Sequence, residues 1–252
     1  MPIDLVNKFL IYPDYEGPDI EVLFENDDII ILNKPPNIHC HPLKYSEKDN
    51  CLSFLRQQLK NNKMDVNNKS YDKGLLYRLD YVTSGVLFFI KNESLFNELR
   101  NNFNQIVKEK YYLAIVEGDF NREGIHKSMF TFKEKKGRKV VIKKSKTLKN
   151  EKFFEGILSI KKIHFNRDND ISIVMVKLET GIRHQIRVQL STLGHPILGD
   201  ELYGGKASKR VYLHAYSYKI PIYGQSIKGV SRQAQLFDLF FDMDSIFKML
   251  KD

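Results

Sequence analysis

The sequence predicts an α+β protein, with a mixed, largely antiparallel sheet flanked by helices and loops. Apolar runs of strand length outnumber the helical patterns, and several come in adjacent pairs separated by short polar segments, as in hairpins. Neither a G-x-G-x-x-G motif nor a P-loop motif is present in the sequence. The pattern therefore gives no support to a doubly wound, nucleotide-binding sheet.

The strands are predicted from these apolar runs. Ile20–Phe24 and Asp28–Leu32 are expected to form a hairpin around a polar turn, and Pro35 ends the second strand because proline cannot donate to a sheet. Later candidates follow in order: Val86–Ile90, Tyr111–Val116, Gly156–Ile163, Ile171–Leu178 and Val211–Tyr218. Leu75–Leu79 is an apolar run that precedes Asp80.

Three helices are predicted where apolar residues recur at helical spacing. The first follows Asn50, and the second follows Asn92; both asparagines are suitable N-caps. The third runs from Ile182 to Leu193 and stops at Gly194. We expect residues 1–19 to be an irregular lead-in, residues 20–252 to form one catalytic domain, and the segment Leu236–Leu250 to pack on its body.

Composition restricts the class of protein. The chain of 252 residues has two cysteines, which argues against a disulfide framework and favours a reducing compartment. No signal-peptide pattern opens the sequence, and no apolar run approaches the length of a membrane span. We therefore expect a cytoplasmic monomer that makes no membrane contact.

The charge is basic and unevenly distributed. The net charge is +9, and residues 133–149 contain nine Lys or Arg residues against the single acid Glu134. This basic strip fits a polyphosphate partner such as RNA, although a solvated lysine-rich loop explains it equally well. Its candidate RNA-binding residues are Lys135, Lys136, Arg138, Lys139, Lys143 and Lys144.

The run from Tyr77 to Gly85 reads YRLDYVTSG and carries the main candidate for chemistry. In an extended segment Arg78 and Asp80 lie on one side, so the cation can keep the carboxylate ionised, as a nucleophile requires. An ordinary structural ion pair beside a turn explains the same spacing. The residues alone leave both interpretations open.

The run closely resembles the signature of the RluA-type pseudouridine synthases, His-Arg-Leu-Asp, two variable residues and Thr-Ser-Gly, with Tyr77 in place of the usual His. Further segments follow in the family's order up to Leu213-His214-Ala215: the opening Ile20–His41, the strand Lys110–Gly118, and Thr180–Tyr203. Only 19 residues precede Ile20, so the resemblance implies the short form without the small S4-type RNA-binding domain.

The resemblance implies roles for single residues. Asp80 takes the place of the catalytic nucleophile, Tyr112 that of the tyrosine that stacks on the target base, and Arg187 that of the cation that pairs with the Asp. Arg78 and Lys110 are expected to contact RNA. Ile182 stands where the family has Arg, and we expect Arg183, four residues before Arg187 on one helix face, to take over a phosphate contact.

The implied activity is the isomerisation of uridine to pseudouridine in ribosomal or transfer RNA, with base flipping and without a cofactor or metal. Asp80 either attacks the nucleotide or assists glycal formation. A non-catalytic RNA-binding or ribosome-assembly protein on the same scaffold is the alternative. A metal-dependent hydrolase is a weaker one, because His39 and His41 flank Cys40 without a second ligand cluster.

Overall fold

The computed structural model describes residues 14–44, 46–59, 66–67, 72–132, 140–142, 153–232, 234 and 236–250. The chain folds into two compact units. The first takes the described residues of 1–107 and 219–233, and the second those of 108–218 and 234–252. The single domain expected over residues 20–252 stays a prediction.

The first unit is built on an antiparallel sheet. Strands β1 (Glu21–Glu25), β2 (Ile29–Lys34) and β3 (Ser84–Ile90) lie in that order, with β2 central and completely buried. The predicted hairpin is confirmed: the Asn26 side chain accepts hydrogen bonds from the backbone N–H groups of Asp28 and Ile29, at 3.0 and 2.9 Å. The register places Lys34 opposite Gly85.

Two helices of the first unit begin where the sequence predicts them. Helix α1 (Cys51–Gln58) is capped by Asn50, and helix α2 (Glu93–Ile106) is capped by Asn92. Each asparagine side chain accepts from the N–H group three residues on, which satisfies one of the free donors at a helix start. Leu95 and Leu99 form the buried side of α2, as their spacing predicts.

The second unit is also antiparallel. Its strands are β4 (Glu109–Glu117), β5 (Gly124–Phe132), β6 (Val140–Ile142), β7 (Phe154–Asn166) and β8 (Ile171–Leu178). They lie in the order β4-β8-β7-β5-β6, and each neighbouring pair is antiparallel. The predicted pairing of the Gly156–Ile163 and Ile171–Leu178 runs is confirmed, whereas β5 and β6 were not predicted.

The remaining elements complete both units. Strand β9 (Leu213–Ile222) begins in the second unit and belongs to the first from Lys219 onward, where β10 (Gln225–Val230) follows. The second unit holds helices α3 (Gln185–Thr192) and α4 (Met243–Met249) and a 3-10 turn at Glu201–Tyr203.

The C-terminal segment packs on the second unit as expected. The Phe247 ring of α4 stacks on Tyr216 with ring centroids 5.7 Å apart and an interplanar angle of 10°. Antiparallel sheet with helices in both units confirms the α+β prediction. None of the helices in the described residues is long and apolar enough to cross a membrane.

Candidate active site

Asp80 lies half-buried on the loop that leads into β3. The backbone on both sides of it is held by hydrogen bonds. The carbonyl of Asp80 accepts from the Thr83 N–H group at 3.0 Å, and the Tyr81 carbonyl accepts from the Asn37 N–H group at 2.8 Å. Gly85, the second residue of β3, has φ 114°, a backbone conformation that glycine adopts readily. The candidate nucleophile therefore sits on a fixed backbone.

Lys34 provides the strongest link to this loop. Its side chain is completely buried, and Nζ donates to the carbonyls of Pro35 and Ile38, each at 2.9 Å, and of Tyr81 at 3.2 Å. An ammonium has three N–H donors, so these carbonyls give it partners that offset its burial. Lys34 thus joins the segment after β2 to the residue that follows Asp80.

Cys40 holds the residue before Asp80. Its Sγ accepts from the Leu79 N–H group and donates to the Leu79 carbonyl, each at 3.4 Å. Burial raises the pKa of the Cys40 thiol, which keeps the proton that the second bond needs. The role of Lys34 and Cys40 could not be read from the sequence, because both act on residues about 40 or more positions away.

The two residues before Leu79 point in different directions. Tyr77, which replaces the family's usual His, is buried; its hydroxyl donates to the Val86 carbonyl at 2.9 Å and its ring lies 5.4 Å from that of Phe103. Arg78 is exposed. The Arg78–Asp80 pair suggested by their spacing stays a prediction.

Tyr112 and Lys110 occupy alternate positions of β4 and thus one face of the strand. Tyr112 is 6% exposed; its ring meets that of Tyr218 edge to face with centroids 5.9 Å apart, and the two hydroxyls contact each other. Lys110 is 2% exposed, and its Nζ donates to the Glu179 carbonyl at 3.1 Å. The RNA contact that the sequence predicts for Lys110 stays a prediction.

The buried Lys110 is expected to make stability depend on pH. Burial lowers the pKa of its ammonium from 10.5 to about 8. Between pH 8 and 10.5 the unfolded chain therefore binds more protons at Lys110 than the folded chain does. The contribution of Lys110 to the free energy of unfolding thus rises with pH in that window. We expect the difference in unfolding free energy between wild type and Lys110→Met, measured by urea denaturation, to increase from pH 8 upward.

The matched control for Lys110 is Lys161→Met, since Lys161 is an exposed lysine of the same unit. The difference in unfolding free energy between wild type and Lys161→Met should stay constant over the same pH range. A constant difference for Lys110→Met as well would contradict a depressed pKa at Lys110.

Arg187 forms a buried ion pair inside the second unit. Its Nε donates to Asp200 Oδ2 at 2.7 Å and its Nη2 to Asp200 Oδ1 at 2.8 Å, and the side chains are 6% and 1% exposed. The guanidinium carbon lies 5.1 Å from the ring centroid of Tyr203. This bidentate geometry uses two of five N–H donors and fixes the plane of the cation.

Tyr203 connects this ion pair with neighbouring elements. Its hydroxyl accepts from the Val140 N–H group at 3.0 Å and is 2.7 Å from His184 Nδ1. His184 is thus hydrogen-bonded within the second unit. Asp200 and Tyr203 both belong to a segment that matches the family's sequence, but their contacts with Arg187 were not foreseen.

The prediction that Arg183 and Arg187 share a helix face is wrong. Helix α3 begins at Gln185, after His184 in the left-handed conformation with φ 56°. The Gln185 Oε1 accepts from the Ile182 N–H group at 3.1 Å, which holds the preceding residues in a turn. Arg183 is exposed on that turn, outside the helix.

Ile182 has a packing role at the position where the family has Arg. It lies against the buried cluster formed by Phe130, Val140, Val188 and Tyr203.

The basic residues Lys135, Lys136, Arg138, Lys139, Lys143 and Lys144 lie outside the described residues. Within the described part of the chain, no three His, Cys, Asp or Glu side chains are grouped so that they could hold a metal.

Comparison with known proteins identifies the family. A family model described as RNA pseudouridylate synthase matches residues 28–192, more than half of the chain. The chain belongs to this family. The matched residues of this RNA pseudouridylate synthase family member include Asp80, Tyr112 and Arg187. Asp200 lies just beyond the matched range. The resemblance inferred from the sequence motifs is confirmed.

Relatives of this family member come from several bacteria. Ribosomal large subunit pseudouridine synthase D of Borreliella burgdorferi is 33% identical over 206 residues, which cover 81% of this chain and 61% of the relative. An uncharacterized RNA pseudouridine synthase of Mycoplasma genitalium is 33% identical, with 78% and 60% covered. An uncharacterized RNA pseudouridine synthase of Helicobacter pylori is 32% identical, and the match covers 83% of this chain and 74% of the relative. The chain thus spans 61% and 60% of the length of the first two.

Two solved human structures resemble the fold of this family member. Human RNA pseudouridylate synthase domain containing 1 aligns with a TM-score of 0.69 and 21% identity, covering 92% of this chain and 95% of the other. Human RNA pseudouridylate synthase domain containing 4 aligns with a TM-score of 0.61 and 20% identity, covering 83% and 87%. These likenesses confirm the pseudouridine synthase fold.

Proposed function

We propose that this protein is an RNA pseudouridine synthase that isomerises specific uridines in ribosomal RNA, transfer RNA or both. Membership of the RNA pseudouridylate synthase family supports the activity. The observation that carries the proposal is the position of Asp80 in the YRLDYVTSG run, half-buried on a loop whose backbone is fixed by the buried side chains of Lys34 and Cys40. A nucleophile held in this way loses little freedom when it meets its substrate.

The reaction breaks the bond between C1′ and N1 of uridine, turns the uracil and joins C1′ to C5. The proton on C5 leaves and N1 gains one, so the isomerisation needs no external reagent. In the proposed mechanism Asp80 either attacks C1′ or takes the 2′ proton to form a glycal. The base has to leave its stack first, and this costs least for an unpaired or loop uridine.

Tyr112 and Arg187 are proposed to act on the same uridine as Asp80. Tyr112 stacks on the uracil and assists removal of the C5 proton, and Arg187 pairs with the Asp80 carboxylate. The bidentate bond to Asp200 supports the second role, because it orients the guanidinium through Nε and Nη2. Arg78, Arg183 and the basic strip are proposed to contact phosphates.

The class of RNA is the finer part of the proposal. One relative is named as a ribosomal large subunit pseudouridine synthase, and this supports ribosomal RNA as the first candidate. Action as a cytoplasmic monomer stays an expectation from the sequence.

The activity is tested with RNA transcripts that carry tritium at C5 of uridine, because isomerisation releases that label into water. We expect the purified chain to release tritium from ribosomal or transfer RNA. We also expect pseudouridine at defined positions in the RNA of cells that have the protein, and not at those positions in cells without it. RNA binding without release of tritium would overturn the proposal and favour the non-catalytic RNA-binding protein.

A further inference from the structure

Two aromatic side chains lie together beside Asp80. The rings of His39 and Tyr81 have their centroids 4.7 Å apart and are tilted by 49°. Tyr81 is 44% exposed, and His39 is partly exposed. Tyr81 occupies the first of the two variable positions after Asp80, and His39 lies two residues before the His-Pro pair of the family's opening segment. Neither has a role in the proposed chemistry.

Both rings are carried by backbone that is held in place. The Tyr81 carbonyl accepts from Lys34 Nζ at 3.2 Å and from the Asn37 N–H group at 2.8 Å. The His39 carbonyl accepts from the Cys51 N–H group at 3.0 Å at the start of α1. An exposed aromatic ring on a fixed backbone can bind a flat ligand at a small cost in conformational entropy.

The chemistry around the pair favours RNA as the ligand. Arg78 is exposed three residues before Tyr81, so an exposed cation and an exposed ring lie on either side of Asp80 in the chain. Proteins bind single-stranded nucleic acid through this combination, with cations on phosphates and aromatic rings on bases. Tyr81 directly follows Asp80 in the chain, so their Cα atoms are about 3.8 Å apart.

We propose that the His39–Tyr81 pair is a stacking surface for the unpaired base of a nucleotide adjacent to the target uridine. This inference rests on the proposed function and adds a second base contact to it. Because every base has a flat face, stacking selects an unstacked neighbour rather than a particular base. The pair would thus direct the enzyme to uridines in loops, where a neighbouring base is free to leave its stack.

The test is a double-mutant cycle between protein and RNA. The probe is a short synthetic stem-loop that carries a uridine mapped as a substrate, together with versions in which the nucleotide on its 5′ or 3′ side is abasic. We expect Tyr81→Ala to raise Kd and KM for the intact stem-loop by about 5- to 160-fold, the range for loss of one stacked base, and Tyr81→Phe to keep wild-type values. With one of the abasic stem-loops, wild type and Tyr81→Ala should bind equally.

The control is Tyr223→Ala, which removes a tyrosine of the same unit that is 66% exposed. It should bind every stem-loop as wild type does. The stacking proposal would be overturned if Tyr81→Ala lowered the affinity for the intact and both abasic stem-loops equally, or lowered it for none of them. If wild type releases no tritium from any RNA, the proposed function itself fails; normal release with an unaffected Tyr81→Ala variant refutes only the stacking surface.

Discussion

The Asp80→Asn variant is expected to lose pseudouridine formation while it keeps RNA binding. Asparagine has nearly the shape of aspartate, and the Asp80 loop is held by Lys34, Cys40 and backbone groups that the change does not touch. The amide can neither attack C1′ nor take the 2′ proton. We expect the rate of tritium release to fall by at least about a hundredfold and the Kd for RNA to change by no more than a few-fold.

Two results would decide how to interpret that variant. Full activity of Asp80→Asn would refute the assignment of Asp80, whichever of the two chemical steps it performs. The matched control is Asp27→Asn, which removes an exposed carboxylate from the β1–β2 turn of the same unit and should leave activity unchanged. A similar loss in both variants would indicate that net charge, and not the chemistry of Asp80, is responsible.

Local signals made part of the fold predictable. Asn50 and Asn92 cap the helices that follow them, because a cap is a contact between residues three positions apart and the sequence displays it directly. The hairpin at Asn26 has the same origin. Strand β5 was missed because polar residues interrupt it, and its pairing with β7 depends on residues about 30 positions away.

The candidate site was predictable in its reactive residue but not in its supports. Asp80 was found because its neighbours match a family motif. The buried amine of Lys34 and the thiol of Cys40 could not be recognised, since their partners follow only from the fold. The substitution of Tyr77 has a structural explanation: its hydroxyl and ring are satisfied in the core of the first unit, next to Val86 and Phe103.

The prediction for Arg183 shows the limit of spacing arguments. Residues four positions apart share a helix face only if both are in the helix, and the left-handed His184 delays the start of α3 to Gln185. Arg187 inside the helix and Arg183 before it therefore occupy different environments, one buried and one exposed. A separate role for each follows from the position at which the helix begins.

The Asp200→Asn variant is expected to be strongly destabilised. Asp200 is 1% exposed and accepts two charge-assisted hydrogen bonds from Arg187, at 2.7 and 2.8 Å. The change removes the negative charge of this buried pair in a place that water hardly reaches. Such changes cost about 3–5 kcal/mol, and we expect a loss of this size in the free energy of unfolding measured by urea denaturation.

The exposed pair Lys162–Asp119 is the matched control, because its N···O distance is also 2.7 Å while its side chains are 30% and 56% exposed. Water screens such a pair, so Asp119→Asn should cost less than about 1 kcal/mol. The double variant Arg187→Met/Asp200→Asn should be more stable than the sum of the two single losses predicts, since it removes both charges of the buried pair. If Asp200→Asn and Asp119→Asn lowered the free energy of unfolding by equal, small amounts, burial would add nothing to the Arg187–Asp200 pair.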